Sequence, residues 1–236
     1  MHNILAVTWR QTTEGFAFGA VGMLLVAVLL GGTQYRRLSS GVRFFWFYLV
    51  MVLIIEVLAK YHHYILDTSN MYLLHIYTFF EFVLLMLFFR ETLELRVSWR
   101  RTLLGITFSI GIVLVLYSAN ILFWHNEKLL PQHFQLYSKI ITNFFILFFS
   151  VLFFVRFISG RIKKESRVLF WIYAGILTYF SGSFVIFMAI NQLIRMPLKE
   201  SIVLWLLNAV LAFVFYGIVN TAFLIQRQNW KRLRPG

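Results

Sequence analysis

Residues 44 to 66 read FFWFYLVMVLIIEVLAKYHHYIL. The run from Phe44 to Ile55 is wholly apolar, and the stretch as a whole is long enough to cross a hydrocarbon core of about 30 Å as a helix rising about 1.5 Å per residue. It lacks the in-out alternation of a barrel strand, and unpaired backbone cannot sit in lipid, so the stretch reads as a membrane-spanning helix. Glu56, Lys60, His62 and His63 interrupt its second half. A cell places charge there only at a cost, which makes these residues the first candidates for function.

Windows of the same kind recur at 14–32, 44–66, 71–89, 102–124, 140–158, 168–190 and 201–225. The expected fold is therefore all-α: one polytopic domain over residues 1–236 with seven transmembrane helices. Composition agrees, with 60% hydrophobic and 13% charged residues and a mean hydropathy of +0.77, outside the range of ordinary soluble domains. The first window follows Arg10 and precedes YRR, the reverse of a cleavable signal peptide's charge order, so it is expected to remain as a helix. The absence of cysteine excludes disulfides, thiolate metal sites and cysteine nucleophiles.

The net charge of +13 does not point to nucleic acid, because the basic residues are spread over short loops. Sixteen of them (Arg36, Arg37, Arg43, Arg90, Arg96, Arg100, Arg101, Arg156, Arg161, Lys163, Lys164, Arg167, Arg227, Lys231, Arg232 and Arg234) fall on one side of the seven spans. Six (Arg10, Lys60, Lys128, Lys139, Arg195 and Lys199) fall on the other. The positive-inside rule then places the N terminus outside and the C terminus in the cytoplasm, with a basic inner rim facing anionic lipid. Trp46, Trp171 and Trp230 are expected in the inner interfacial belt and Trp124 in the outer one.

At about 100° per residue, Glu56, Lys60, His63 and Asp67 form one stripe about 60° wide on the second helix. The short TSN connection makes the third helix its antiparallel neighbour, and that helix carries His75, Tyr77, Thr78 and Glu81. Glu81 falls level with Glu56, and an ion pair of Glu56 with Lys60 one turn above is the simplest relief of the buried charge. Lys60 reaching outward to Asp67 is the alternative. The eight residues are candidates for a ligand pocket or a proton relay, against the plainer reading of hydrogen-bonded glue between helices.

Asn143, Ser181, Ser183, Asn208 and Tyr216 are secondary pocket candidates in the later helices. All six histidines fall in the outer half or the outer loops, and His62, His63, Asp67 and His75 could between them supply a mixed metal site, although no spacing matches a metal motif. No cofactor is expected. Retinal is unlike this chain, since a Schiff-base lysine is missing from 201–225, and the later helices lack the histidines of alkaline-ceramidase-like hydrolases.

From YRRLSSGVRFFWFYLV through EVLAKYHHYILDTSNMYLLHIYTFFEFVLL, roughly residues 35 to 90, the chain resembles small bacterial seven-helix membrane proteins. Their third helix carries an hxYTxxEF-like motif after a short Asn-containing loop, and here His75, Tyr77, Thr78 and Glu81 occupy it. The resemblance implies seven-helix topology in a bacterial inner membrane and, by analogy with seven-helix sensor modules, sensing of a small or lipid-like ligand with output to a separate signalling partner. An intramembrane lipid-modifying enzyme, a proton-coupled transporter and a structural subunit of a membrane complex remain as alternatives on the same residues.

Overall fold

A computed structural model describes the backbone of residues 2–61, 71–95, 97–124, 131–162, 167–193 and 198–232. These residues form α1 (His2–Thr33), a 3-10 turn (Tyr35–Arg37), α2 (Ser40–Tyr61), α3 (Met71–Thr92), α4 (Val97–Trp124), α5 (Pro131–Ile158), α6 (Arg167–Leu193) and α7 (Leu198–Arg232), with no strand among them. Each of the seven helices contains a segment long and apolar enough to cross a membrane. By helix length and composition the chain is an integral membrane protein.

Two helices outrun their apolar windows in a way that matters later. Helix α5 begins at Pro131, well before residue 140, and α7 begins at Leu198 and continues to Arg232. Hydropathy marks where lipid contact is favourable, whereas a helix continues for as long as each N–H finds its carbonyl four residues back. Proline suits the first position of α5 because its missing N–H had no intrahelical acceptor to lose. The end of α5 is sealed by Gly160 at φ 69°, with the Arg161 N–H donating to the Arg156 carbonyl at 2.9 Å. Only a residue without Cβ takes that left-handed turn without strain.

Helix α1 lies along α7, α7 along α6, α6 along α5, and α2 along α3, while α5 also meets α3. Helix α4 is carried on the outside, chiefly by α3. The α1–α2, α3–α4 and α5–α6 connections share one end of the bundle, where Ser40 hydrogen-bonds Glu91 at 3.1 Å and Arg156 donates to the Glu94 carbonyl at 3.1 Å. Arginines 36, 37, 43, 90, 100, 101, 161 and 167 gather there as well, and we call it the basic end.

Just inside the basic end, a block of aromatic side chains fills the bundle. Phe45, Phe88, Phe89, Phe153 and Tyr173 are all fully buried. Phe153 stacks on Tyr173 with ring centroids 3.7 Å apart and planes 4° from parallel, Phe88 lies 5.0 Å from Tyr173, and Phe45 lies 5.4 Å from Phe88. The Tyr173 hydroxyl meets Thr92 at 2.5 Å, so its polar atom is satisfied where it is buried. Runs such as FFILFFSVLFF therefore divide by helical phase: Phe144 and Phe148 point outward, whereas Phe153 closes the core.

Trp46, expected in an interfacial belt, locks α2 to α1. Its indole N–H donates to the Val28 carbonyl at 2.9 Å, and its ring lies against Gly31, where a Cβ would collide with it. A glycine lets the indole approach the α1 backbone closely enough for that bond. Gly31→Ala should displace Trp46 and lower stability by about 1–3 kcal/mol, as overpacking does. Phe153→Ala should lose the low end of about 3–5 kcal/mol, since lipid recovers part of the lost apolar contact. Thermal midpoints in detergent would check both.

Candidate functional site

Beyond the aromatic block, away from the basic end, the bundle interior turns polar. The third-helix motif explains how: at about 100° per residue, Tyr77 and Glu81 share one face of α3, one turn apart. Glu81 is 0% exposed. The Tyr77 hydroxyl donates to one carboxylate oxygen of Glu81, and the Lys139 ammonium donates to the other. Thr78 turns back onto its own helix, its hydroxyl donating to the Leu74 carbonyl at 2.9 Å.

Lys139 overturns its sequence assignment. Counted above among the charges of the outer face, it is 3% exposed and forms a buried ion pair with Glu81 across the α3–α5 interface. The reason is the early start of α5, which puts Lys139 more than two turns inside the helix. A signal was present in the sequence: Lys139, Asn143, Ile146, Ser150 and Phe153 recur at helical spacing, and all five are buried. Three rings surround the Lys139 nitrogen, Tyr77 at 4.6 Å, Phe180 at 5.8 Å and Phe187 at 6.0 Å from their centroids, a cation–π setting that further offsets its loss of water.

Four tyrosines from four helices, Tyr48 (α2), Tyr77 (α3), Tyr179 (α6) and Tyr216 (α7), lie within electrostatic range of Glu81. Tyr48 is not singled out in the sequence, because a tyrosine inside an apolar run looks like core. The Tyr48 hydroxyl approaches Tyr77, and Ser183 approaches Tyr179, without a well-aligned hydrogen bond. One turn along α5 from Lys139, Asn143 is fully buried with both its carboxamide oxygen and its nitrogen unbonded. The Asn208 carbonyl oxygen is likewise buried without a donor. A buried polar group left this way costs about 1–3 kcal/mol.

The remaining candidates separate. Glu81 bonds to Lys139 and Tyr77, and among the described residues no hydrogen bond joins it to Glu56. Glu56 and Lys60 attract each other electrostatically, but the Lys60 ammonium sits 4.0 Å from the Phe18 ring centroid on α1. His75 is half-buried on α3, and Ser181 is exposed, its hydroxyl donating to the Thr178 carbonyl at 3.1 Å. His62, His63 and Asp67 lie outside the described residues, and among the described residues no three His, Asp or Glu side chains gather as a metal site would require.

Comparison with protein-family models, curated proteins and solved structures returned no match. The site must therefore be judged on its chemistry: a net-neutral ion pair, phenol hydroxyls, and carboxamide and hydroxyl groups that still have hydrogen bonds to make.

Removing one partner of a buried pair strands the other. Lys139→Met alone should destabilise the protein by about 3–5 kcal/mol. The double variant Glu81→Gln with Lys139→Gln, which leaves no net charge, should recover most of that loss. Denaturation in mixed micelles, compared across the double-mutant cycle, reads the coupling directly.

Proposed function

We propose that the protein is a seven-helix receptor-like or regulatory protein of a bacterial inner (plasma) membrane. Its N terminus lies outside and its C terminus in the cytoplasm, and it senses a small or lipid-like ligand through the polar interior reached from α2 and α3. The observation that carries this reading is the group of buried, unbonded polar atoms on Asn143, one turn from Lys139, on Tyr48, within electrostatic range of Glu81, and on Ser183 beside Tyr179. Glue between helices would leave its donors and acceptors satisfied, whereas a ligand supplies the missing partners.

The aromatic block supports sensing over transport. It lies between the polar interior and the basic end, so a carrier would have to open a layer of fully buried rings, Phe45, Phe88, Phe153 and Tyr173. A sensor needs only a small displacement passed along helices. Helices α3 and α5 are joined midway along α3 by Glu81 and Lys139, and at the basic end Arg156 of α5 donates to the Glu94 carbonyl just past α3. A ligand that competes for either charge changes the α3–α5 register, and the basic end is where a signalling partner would read it. The same pair would serve an intramembrane lipid-modifying enzyme, with Glu81 as the base, but that reading gains no second feature from the geometry.

Two measurements test the proposal. In a thermal-shift screen of small polar metabolites and lipids in neutral detergent, at least one class should raise the midpoint of the wild type and leave the Glu81→Gln, Lys139→Gln variant unmoved; no stabilising compound, or equal stabilisation of both, argues against a ligand pocket. Orientation can be read on the native cysteine-free background. A membrane-impermeant maleimide should label Gln11→Cys but not Ser39→Cys in intact spheroplasts, and both after lysis. The reverse pattern would invert the topology.

A further inference from the structure

Glu56 is placed where a core residue belongs and yet is exposed. On α2, Phe45, Tyr48, Leu49 and Val52 form the buried stripe that faces the bundle. At about 100° per residue, Glu56 lies within about 20° of Phe45 and therefore in the middle of that stripe. It also lies within electrostatic range of Tyr179 of α6 and Tyr216 of α7. Nevertheless Glu56 is exposed, and among the described residues nothing donates a hydrogen bond to it.

Helix α1 packs more closely along α7 than along α2, which leaves Glu56 less covered on that side. Near the basic end the two helices are locked by Trp46 against Val28 and Gly31. Toward the other end α1 leans on α7, where Phe16 packs edge-on to Phe213 at 6.1 Å and Gly19 faces the same ring. There the Lys60 ammonium reaches back from α2 to the Phe18 ring. The α1–α2 seam beside Glu56 thus carries the exposed apolar side chains Phe18 and Val57.

We propose that Glu56, backed by Tyr179 and Tyr216, receives the ammonium group of an amphiphilic amine that enters sideways between α1 and α2. A carboxylate without a hydrogen-bonded partner among the described residues supplies the charge, the phenols supply acceptor oxygens and ring faces, and an alkyl tail can remain in the lipid beside the α1–α2 seam. Lys60 is the competing cation. Held on the Phe18 ring, it stands beside the site without filling it. The same group could arrive on a free alkylamine or on the headgroup of an ethanolamine phospholipid. The assignment names the ligand class for the sensor reading and rests on that reading for its consequence, not for its geometry.

The test uses full-length protein in neutral maltoside micelles, titrated with n-decylammonium and n-decyltrimethylammonium, with n-decanol and n-decyl sulfate as controls. Saturable stabilisation by the ammonium compounds is expected, and Glu56→Gln should weaken it about tenfold or more. Lys60→Gln should leave it unchanged or tighter. Equal binding by Glu56→Gln, or saturable binding of decyl sulfate that Lys60→Gln abolishes, overturns the assignment. Should Glu56→Gln fold poorly, Tyr216→Phe, with the phenol acceptor removed, must weaken binding instead, and unaltered affinity there overturns it too. Native mass spectrometry from nanodiscs of ethanolamine or glycerol phospholipid separates the sources: retention of the ethanolamine lipid that is lost in Glu56→Gln identifies the headgroup, and its absence beside alkylammonium binding identifies a free amine. Failure here, with a Glu81- and Lys139-dependent ligand found by screening, removes only this assignment. Ammonium binding that ignores the Glu81→Gln, Lys139→Gln change leaves this site standing and removes the deeper pocket as its readout.

Discussion

A carboxylate and an ammonium held together inside an apolar bundle constrain everything around them. Each charge alone would be intolerable at that depth, and together they still require their remaining hydrogen-bonding positions to be met. Glu81 meets this demand with Tyr77 and Lys139, and Lys139 with three aromatic rings. The pair fixes how α3 and α5 face each other, and α5 in turn positions α6. In lipid, where burial of apolar surface does not by itself favour one helix pairing over another, such a polar contact specifies register more strongly than any greasy contact can.

The bundle is graded along its length. At the basic end, Phe153 on Tyr173, Trp46 on α1 and Arg156 on the Glu94 carbonyl leave few polar atoms unbonded. The Nε of Arg156 and the Oδ1 of Asn220 are exceptions in that half, buried without a partner. Past the aromatic layer Asn143, Ser183 and Asn208 keep unused hydrogen-bonding capacity. A rigid half joined to a half with polar capacity to spare suits a protein that must register something on one side and transmit it through few, well-defined contacts.

Helix packing produces this gradient from small local choices. Gly31 admits Trp46, Gly182 admits Leu211, and Gly175 admits Phe215. Asn220 and Gln34 add cross-helix bonds to backbone carbonyls, at 3.0 Å to Met23 and 3.3 Å to Phe223. These contacts hold α7 against α1 and α6. Helix α2 lies along α3 and is locked to α1 through Trp46 near the basic end, with Glu56 more than two turns farther along it.

The sequence by itself determined the all-helical, seven-span architecture, because the need to satisfy every backbone group in lipid leaves no other solution for apolar windows of this length. It also determined that charge enters α2 and α3, and it singled out Tyr77 and Glu81. Their partners were decided only in three dimensions. Lys139 read as a loop charge because hydropathy windows end where polar residues begin, although the helix does not end there. Glu56 and Glu81 read as level because depth along a helix is legible, whereas the distance between two helices is not. Tyr48 was invisible inside an apolar run, since one phenol among phenylalanines acquires a role only when other helices bring charge to it. Periodicity reports what a single helix can do alone, and which faces meet depends on side chains from segments far apart in the chain.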